Sequence, residues 1–258
     1  MQPATSLVLA AGHRLECLEY PAHQLNRPPL VFLHEGLGSV AMWRDFPARV
    51  AHATGCRTLV YSRYGYGQSD VLEGRHGPDF MHREALQALP DLLAALAIDK
   101  PVLIGHSDGG SIALIYAGAG CGPLSGVITM AAHVFVEDVT MASVAAAKRA
   151  FETTDLAEKL SRYHRDVHKT FWGWTDIWLD PRLRPWNIEE YLPRISCPLL
   201  VIQGEDDEYG TLRQVEAIAA RVPESRQLIL PDCRHSPHRD QPEAILAAIV
   251  DFVDAVSC

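Results

Sequence analysis

Residues 103–114 read LIGHSDGGSIAL, an apolar run that passes through a glycine-flanked serine and continues into an Ala/Ile/Leu-rich stretch. Gly105, Ser107 and Gly109 fit Gly-x-Ser-x-Gly, a pattern typical of a sharp, strained turn from a buried strand into a helix. Glycine is expected at positions 105 and 109 because larger side chains two residues before and after the serine would collide. Such a turn exposes the Ser107 hydroxyl at a helix N-terminus, where developing negative charge is favoured.

Short runs rich in Val, Ile and Leu recur along the chain, and each ends at glycine or in a turn. They are typical of strands buried on both faces of a parallel sheet. The runs are LVFLHEG (30–36), RTLVYSRYG (57–65), PVLIGHSDG (101–109), LSGVITMAA (124–132), PLLVIQGEDD (198–207) and RQLILPDC (226–233). Two earlier stretches, TSLVLAAG and RLECLEYPA, predict an antiparallel hairpin at the sheet edge.

Segments with helical spacing separate these runs. Between residues 82 and 98 apolar side chains recur at helical intervals, although Pro90 must start or kink a turn. The predicted apolar stripe comprises Leu86, Leu89, Leu92, Leu93 and Leu96. Strands that alternate with helices predict the α/β class, with a mostly parallel, twisted sheet flanked by helices on both faces.

Residues 134–195 contain no convincing strand, but they carry helical stretches and the aromatic-rich FWGWTDIWLDPRLRPW. We interpret them as a helical lid inserted before the penultimate strand, with the core formed by 1–133 and 196–258. An insertion there would lie over the C-terminal strand ends, where open α/β sheets bind ligands. Its tryptophans could wall an apolar pocket or simply attach the lid to the core. They are Trp172, Trp174, Trp178 and Trp186.

Composition limits the partners of this chain. It has 258 residues, 48% of them hydrophobic, and a formal net charge of −9, which fits one main domain with a sizeable core. Interspersed charges of both signs disfavour a nucleic-acid or anionic-membrane surface. No apolar run approaches the roughly 20 residues of a membrane span, and no signal peptide is apparent. We expect a cytoplasmic protein with a small-molecule substrate, and a homodimer is one assembly compatible with the sequence.

The six cysteines are scattered without a CxxC pair, which predicts free thiols. His164 and His168 lie four residues apart in YHRDVH and are expected on one helical face. Because no glutamate completes an HExxH motif, a packed or solvated helix face is favoured over a metal site. We therefore expect neither a metal nor an organic cofactor.

A serine hydroxyl needs a base to remove its proton and a carboxylate to orient that base. Two later strand ends offer them, in the order serine, acid, histidine. We predict Asp207 as the acid, with Asp206 second, and His235 as the base, with His238 second. Simpler roles stay open: Asp207 could be a turn residue or a helix cap, and His238 a surface side chain or a partner of Asp240.

The transition state also needs hydrogen-bond donors for a developing oxyanion. The amide of Asp108, the residue after the serine, is one predicted donor. The second should come from the loop after the first parallel strand, where Gly36 is preferred and Leu37 is the alternative.

Together these residues resemble the α/β-hydrolase superfamily, over nearly the whole chain. Residues 34–39 (HEGLGS) look like its His-Gly oxyanion loop, 62–69 (SRYGYGQS) like its Asp-x-x-Gly-x-Gly-x-Ser turn, and GHSDGG like its nucleophile elbow. The resemblance implies that Asp207 and His235 are the acid and the base. Glu35 replaces the usual glycine, and Ser62 the usual aspartate. Glu35 could brace its loop, through Arg63 or a backbone amide, or it could contact substrate or water.

Within the superfamily, GHSDGG, FWGWTDIW, LPRISCPLLVIQGEDD and HSPHRDQPE are most similar to the valacyclovir hydrolase family of small ester hydrolases. In that family the aspartate after the nucleophile helps to receive the substrate's ammonium group, and Asp108 matches its position. The carboxylate of Asp108 could instead only cap the helix. Glu35, Asp108, Trp172, Trp174 and Trp178 are the predicted substrate contacts.

The sequence thus predicts a serine hydrolase that cleaves a small carboxylic ester, thioester or lactone through an acyl-enzyme intermediate. A C–C bond hydrolase of aromatic ring-cleavage products is an alternative, because it would use the same three residues. A non-catalytic ligand-binding protein on a hydrolase scaffold is an alternative of another class. Epoxide hydrolysis and dehalogenation are disfavoured, since such relatives need a carboxylate where Ser107 stands.

Overall fold

A computed structural model describes residues 3–257 of the chain. Within these residues the strands form one eight-stranded sheet of order β1-β2-β4-β3-β5-β6-β7-β8. The strands are β1 (Ala4–Ala10), β2 (His13–Tyr20), β3 (Leu30–Leu33), β4 (Thr58–Tyr61), β5 (Val102–His106), β6 (Gly126–Met130), β7 (Leu199–Gly204) and β8 (Arg226–Leu230). The predicted α/β class is confirmed.

The direction of the strands follows the pattern of their side chains. Strands β3 to β8 pair in parallel, whereas β1 and β2 form the predicted antiparallel hairpin, which joins the sheet through β4. All residues of β3 to β7 are buried, as expected for strands covered on both faces. β8 is partly exposed, in contrast to the prediction, because it forms an edge of the sheet and has a neighbour on one side only.

Helices cover both faces of the sheet. The helices are α1 (Phe46–Thr54), α2 (Phe80–Arg83), α3 (Leu89–Ala95), α4 (Asp108–Ala119), α5 (Asp138–Thr153), α6 (Leu156–Ser161), α7 (Val167–Trp178), α8 (Arg213–Arg221), α9 (Pro237–Asp240) and α10 (Pro242–Val256). Alternate side chains of β3 belong to different layers: Leu30 and Phe32 pack with α1 and α10, while Val31 and Leu33 pack with α3, α4 and α8. No helix within residues 3–257 has the length and apolar character needed to cross a membrane.

The helical segment around Pro90 differs from the predicted single stripe. A π-helical turn, Glu84–Ala88, joins α2 to α3, and Pro90 occupies the first turn of α3. A π turn adds a residue per turn and so rotates the side chains that precede it relative to those that follow. Leu89, Leu92 and Leu93 are buried as predicted, but Leu86 is 39% exposed. The expectation of one continuous stripe was therefore wrong at Leu86.

Between β6 and β7 the chain forms α5, α6 and α7, in agreement with the predicted helical insertion before the penultimate strand. Phe151 of α5 stacks on Phe171 of α7 with ring centroids 3.8 Å apart. The two ends of the segment meet, because the Ile188 amide donates to the Val134 carbonyl at 2.8 Å. The division of the chain at residues 134 and 195 stays a prediction.

Five of the six cysteines fall within the described residues, and all five are free thiols. Three are buried, at positions 17, 56 and 233, and two are half-buried, at positions 121 and 197. Cys258 lies outside the described residues. Burial raises the pKa of the Cys17 thiol to about 12, with smaller contributions from neighbouring carboxylates, so this group is a packed side chain rather than a reactive thiolate.

Candidate active site

Ser107 lies on the turn between β5 and α4. Its backbone has φ 53° and ψ −118°, a left-handed conformation that a non-glycine residue adopts only under strain. The flanking glycines allow this turn: a Cβ at Gly105 would overlap the Gly109 carbonyl, and a Cβ at Gly109 would overlap the Leu33 carbonyl. The predicted strand-turn-helix therefore presents the Ser107 side chain at the N-terminus of α4.

The structure brings Ser107, His235 and Asp207 together. His235 Nε2 lies 3.0 Å from Ser107 Oγ, and His235 Nδ1 lies 2.8 Å from Asp207 Oδ1. A carboxylate can only accept, so Nδ1 carries the proton and Nε2 is free to accept one from the serine. The three residues follow β5, β7 and β8, whose C-terminal ends meet at one edge of the sheet.

Asp207 is fixed from several sides. Gln203 Nε2 donates to its Oδ2 at 2.6 Å, and the amides of Tyr209 and Gly210 donate to its Oδ1 at 2.8 and 3.2 Å. Burial alone would raise the pKa of Asp207, but hydrogen bonds and charge at His235 and the Tyr209 amide lower it below its usual value. Asp207 thus organises its own turn, as the simpler interpretation required, and contacts His235 as well.

Asp206 and His238, the alternative candidates for the acid and the base, are placed differently from Asp207 and His235. Asp206 is exposed, with no side-chain hydrogen bond to the histidine. His238 is 3% exposed and packs against Trp43, with ring centroids 4.7 Å apart. The Asp240 carboxylate accepts from the Arg234 amide at 2.8 Å, so the expected partnership of His238 with Asp240 is not formed.

The loop of residues 34–38 faces the Ser107 side chain. Three donors converge on the Glu35 carbonyl oxygen: His34 Nδ1 at 2.7 Å, Arg63 Nη2 at 2.9 Å and the Gly38 amide at 3.0 Å. In a trans peptide the N–H points opposite to the C=O, so these bonds turn the Gly36 N–H away from Arg63. Gly36, Leu37 and Asp108 all line the cavity next to Ser107.

The His34 side chain links this loop to the backbone of Arg63 as a neutral imidazole. Its Nδ1–H donates to the Glu35 carbonyl, and its Nε2 accepts from the Arg63 amide at 3.0 Å. Burial, together with the charge of Arg63, holds the pKa of His34 well below its usual range. Because the imidazole stays uncharged, it can donate at one nitrogen and accept at the other at the same time.

The Glu35 side chain joins the 34–38 loop to the elements that carry the serine and the histidine. Its Oε2 lies 3.4 Å from His106 Nδ1, and its Oε1 lies 3.6 Å from Arg239 Nη2. His106 Nε2 in turn donates to the His235 carbonyl at 2.7 Å. Burial opposes ionisation of Glu35, but the hydrogen bond and charge of His106, with the charge of Arg239, hold its pKa well below the usual range. Arg63 contacts the backbone of Glu35 rather than its carboxylate.

The Asp108 carboxylate is buried next to the serine. Its Oδ2 lies 3.5 Å from Arg63 Nη2, and Asp108 is an acidic residue in the first turn of α4. Burial raises the pKa of Asp108, and the nearby Arg63 offsets part of that increase. The carboxylate thus has a partner besides the helix N-terminus, an ion pair that no sequence motif indicates, and its role towards substrate stays a prediction.

These groups surround a cavity of about 190 Å³. Trp174 and Trp178 line it, as do Leu37 and Val144. Trp172 lies outside the lining and packs against Phe151 and beneath the Lys148 ammonium, and Trp186 packs edge-on against Trp178. Of the predicted substrate contacts, the structure therefore puts Glu35, Asp108, Trp174 and Trp178 at the cavity and leaves Trp172 beside it.

His133, which the sequence analysis had not singled out, also lines the cavity. It follows β6, and its ring lies 6.0 Å from the ring of His235. Burial, with the charge of His235, lowers the pKa of His133 to about 4, so it faces the cavity as a neutral imidazole. Its position three residues after the end of a buried strand was the available signal, since the other predicted site residues also follow strand ends.

The His164 and His168 pair does not lie on one helical face, because α7 begins only at Val167. His164 Nδ1 accepts from the Gly67 amide at 3.0 Å, and its Nε2 donates to the Leu37 carbonyl at 3.0 Å. It therefore ties the 62–69 turn to the 34–38 loop. Over residues 3–257 no cluster of three or more His, Cys, Asp or Glu side chains is suited to hold a metal ion.

This fold, with a serine on a strained turn at the C-terminal edge of the sheet, defines an α/β-hydrolase architecture. Residues 30–248 match the model of the alpha/beta hydrolase family, and the chain belongs to that family. The protein is accordingly an enzyme of the hydrolase class.

Two similar proteins and one solved structure illustrate the range of these hydrolases. The serine hydrolase BPHL of Homo sapiens is 28% identical over 192 residues, which cover 70% of this chain and 63% of that protein. The 3-oxoadipate enol-lactonase 1 of Acinetobacter baylyi is 26% identical over 253 residues, which cover 90% of each chain. A thermophilic esterase from Thermogutta terrifontis has the same fold, with a TM-score of 0.75 over 100% of both chains at 21% identity.

Proposed function

We propose that this enzyme is a serine hydrolase that cleaves a small carboxylic ester, or a thioester or lactone, through an acyl-enzyme intermediate. The observation that carries the proposal is the continuous set of contacts from Ser107 Oγ through His235 to Asp207, with distances of 3.0 and 2.8 Å, at the wall of a cavity. Such an arrangement activates a hydroxyl for attack on a carbonyl carbon.

In the first step Ser107 Oγ attacks the carbonyl carbon while His235 Nε2 takes the hydroxyl proton. Asp207 stabilises the imidazolium that forms, because its carboxylate accepts from Nδ1–H. The amides of Gly36 and Asp108 are the proposed donors to the oxyanion, and the N-terminus of α4 adds a favourable dipole. The fixed orientation of the Glu35–Gly36 peptide supports this role, since a donor that is already aligned needs no reorganisation during the reaction.

Collapse of the tetrahedral intermediate releases the alcohol or thiol, which takes its proton from His235 Nε2. Water then enters, His235 removes a proton from it, and attack on the acyl carbon regenerates Ser107 and releases the acid. A cavity of about 190 Å³ bounded by Leu37, Val144, Trp174 and Trp178 supports a small, largely apolar acyl group. Direct substrate contact by Glu35 and Asp108 belongs to the same proposal.

The decisive test is Ser107→Ala. It should lower the kcat/KM for short p-nitrophenyl esters by about 10⁵- to 10⁶-fold, as expected when the nucleophile of such a set is removed, and it should abolish labelling by a fluorophosphonate. Ser6→Ala, at an exposed serine of β1, is the matched control and should behave as wild type. Retained turnover or labelling in the Ser107 variant would refute the nucleophile assignment.

A panel of esters, aminoacyl esters, thioesters and lactones then identifies the preferred bond. Inclusion of a vinylogous 1,5-diketone separates ester cleavage from C–C cleavage, since the same three residues could serve either reaction. Efficient turnover of the diketone with poor ester activity would replace our proposal by the C–C alternative. Recovery of every ligand unchanged after long incubation would favour the ligand-binding alternative.

A further inference from the structure

Asp108 and Arg63 form a buried ion pair next to the nucleophile, Ser107. Asp108 follows Ser107 in sequence and lines the cavity, and its Oδ2 is 3.5 Å from Nη2 of Arg63. The two side chains are 1% and 2% exposed. A carboxylate in this position would attract a cationic group of a substrate, but here a guanidinium already supplies the positive charge.

Two further contacts hold Arg63 in place. Its Nη2 donates to the Glu35 carbonyl at 2.9 Å, and its guanidinium lies over the Tyr66 ring, 4.6 Å from the centroid. Arg63 and Tyr66 are buried, and the contact with the Glu35 carbonyl is partly buried. Displacement of Arg63 by an incoming ammonium group would therefore break a hydrogen bond in the 34–38 loop and leave a buried guanidinium without its partner.

A second carboxylate, Glu84, also interacts with the charge of Arg63 but lies outside the cavity lining. It accepts a hydrogen bond from the Tyr61 hydroxyl at 2.9 Å. Of these two carboxylates, Asp108 is the one to which the Arg63 guanidinium donates a hydrogen bond. The guanidinium is therefore placed to neutralise Asp108.

The other acidic side chains of the cavity are also paired. Glu35 lies between His106 and Arg239, and Glu208 lies 3.2 Å from Arg234. Each carboxylate that lines the cavity thus has a cationic partner, although the formal charge of the whole protein is −9. The local charge of the site differs in this respect from that of the protein as a whole.

We propose that Arg63 is a specificity-determining residue that neutralises Asp108, so that the site prefers acyl groups without charge to acyl groups that carry an α-ammonium. The inference rests on the proposed ester hydrolysis at Ser107. It distinguishes this chain from an enzyme in which the carboxylate after the nucleophile receives the amino group of an aminoacyl ester.

The test uses two esters of equal shape, benzyl propanoate and benzyl glycinate, in which a methyl group replaces the ammonium. Both are assayed at a pH that keeps the amine protonated, and the measured quantity is the ratio of kcat/KM for propanoate to that for glycinate. Comparison of this ratio between variants cancels the intrinsic reactivity of the two esters, and it also cancels any uniform loss of activity.

Arg63→Met should lower the ratio at least about tenfold, because it leaves Asp108 as an unpaired carboxylate next to the serine. Arg63→Lys, which keeps the charge, should stay within about threefold of wild type. The double variant Arg63→Met/Asp108→Asn should restore a ratio close to that of wild type. In that variant two uncharged side chains replace an ion pair whose charges cancel.

Two outcomes would overturn the inference while leaving ester hydrolysis intact. One is an Arg63→Met ratio equal to that of wild type. The other is an Arg63→Met/Asp108→Asn double variant that loses glycinate turnover selectively relative to wild type, which would make Asp108 the receptor of the ammonium. The double variant decides whether Asp108 receives the ammonium even if Arg63→Met alone does not fold. Absence of turnover of both esters by the wild type, with no fluorophosphonate labelling, would instead refute the proposed function and the inference with it.

Discussion

On one side of the cavity Ser107, His235 and Asp207 contact one another directly, whereas on the other side the 34–38 loop is held by two arginines and a histidine from other segments of the chain. The first set depends on the ends of β5, β7 and β8, three parallel strands of one sheet. The second depends on Arg63 after β4, on His106 at the end of β5 and on Arg239 in α9. Substitutions on the first side should therefore affect mainly the rate, and substitutions on the second side both rate and stability.

Among substitutions on the two sides of the cavity, Asp207→Asn should produce the largest loss of activity. An amide can donate towards His235 Nδ1 and so no longer fixes the tautomer in which Nε2 accepts the serine proton. We expect kcat to fall by about 10⁴-fold, the cost that loss of this orientation has in serine triads, with a modest fall in melting temperature because the asparagine NH₂ group would face the donor Gln203 Nε2. Asp206→Asn, at the exposed neighbouring carboxylate, is the matched control. Equal losses in the two variants would show that the acid is wrongly assigned.

Glu35→Gln should have an intermediate effect. We expect it to lower both kcat/KM and the free energy of unfolding at neutral pH, the latter by about 1–3 kcal/mol, because a buried charge-assisted contact is removed. The folded-state pKa of Glu35 lies below its ordinary value, so its contribution to stability is complete above the ordinary value and disappears as the pH falls through the folded-state pKa. The deficit measured by urea unfolding should therefore shrink at acidic pH.

Glu243→Gln provides the control for this pH dependence. Its carboxylate also pairs with an arginine, at 2.7 Å from Arg49, but its side chain is 80% exposed. Such a surface pair contributes little, so urea unfolding should change little at either pH. A deficit of Glu35→Gln that is the same at neutral and acidic pH would contradict the ionised state of Glu35.

The smallest effect should come from the aromatic side chains of the helical insertion. Trp174 lines the cavity and packs so closely on Gly36 that a Cβ there would overlap its indole. Trp174→Phe should therefore change the KM for short esters several-fold, because it enlarges the cavity. Trp172→Phe, two residues away and outside the lining, should leave KM within about twofold of wild type. Similar shifts for both variants would place Trp172 in contact with substrate after all.

The sequence predicted the sheet and the residues at its strand ends well, because both follow from local patterns. A buried apolar run that ends in glycine indicates a parallel strand, and the ends of parallel strands share one edge of the sheet. The sequence alone therefore predicts that Ser107, Asp207 and His235 lie near one another.

The partners of Glu35 and Asp108 could not be predicted in the same way. Arg63, His106 and Arg239 approach these carboxylates only after the chain has folded, and nothing in their local sequence indicates which acidic group each one faces. The exposed Leu86 has a different cause, since the periodic pattern assumes an α-helix and a π turn changes the phase. Contacts between distant segments and local departures from regular geometry thus limited the prediction.

The Ile188 amide donates a hydrogen bond to the Val134 carbonyl, and Phe135 and Asn187 form a β-bridge next to it. These contacts bring the two ends of the helical insertion together, so that the insertion could be replaced as a unit. Because the chain leaves and re-enters the core at one point, the length and sequence between these residues can change without a shift of β6 or β7. Trp178 would be replaced in such an exchange, whereas Ser107, His235 and Asp207 would stay in place. His164 and Trp174 lie in the insertion but contact the 34–38 loop, so they would have to be kept. In protein engineering, substrate size could therefore be altered while the reaction chemistry is retained.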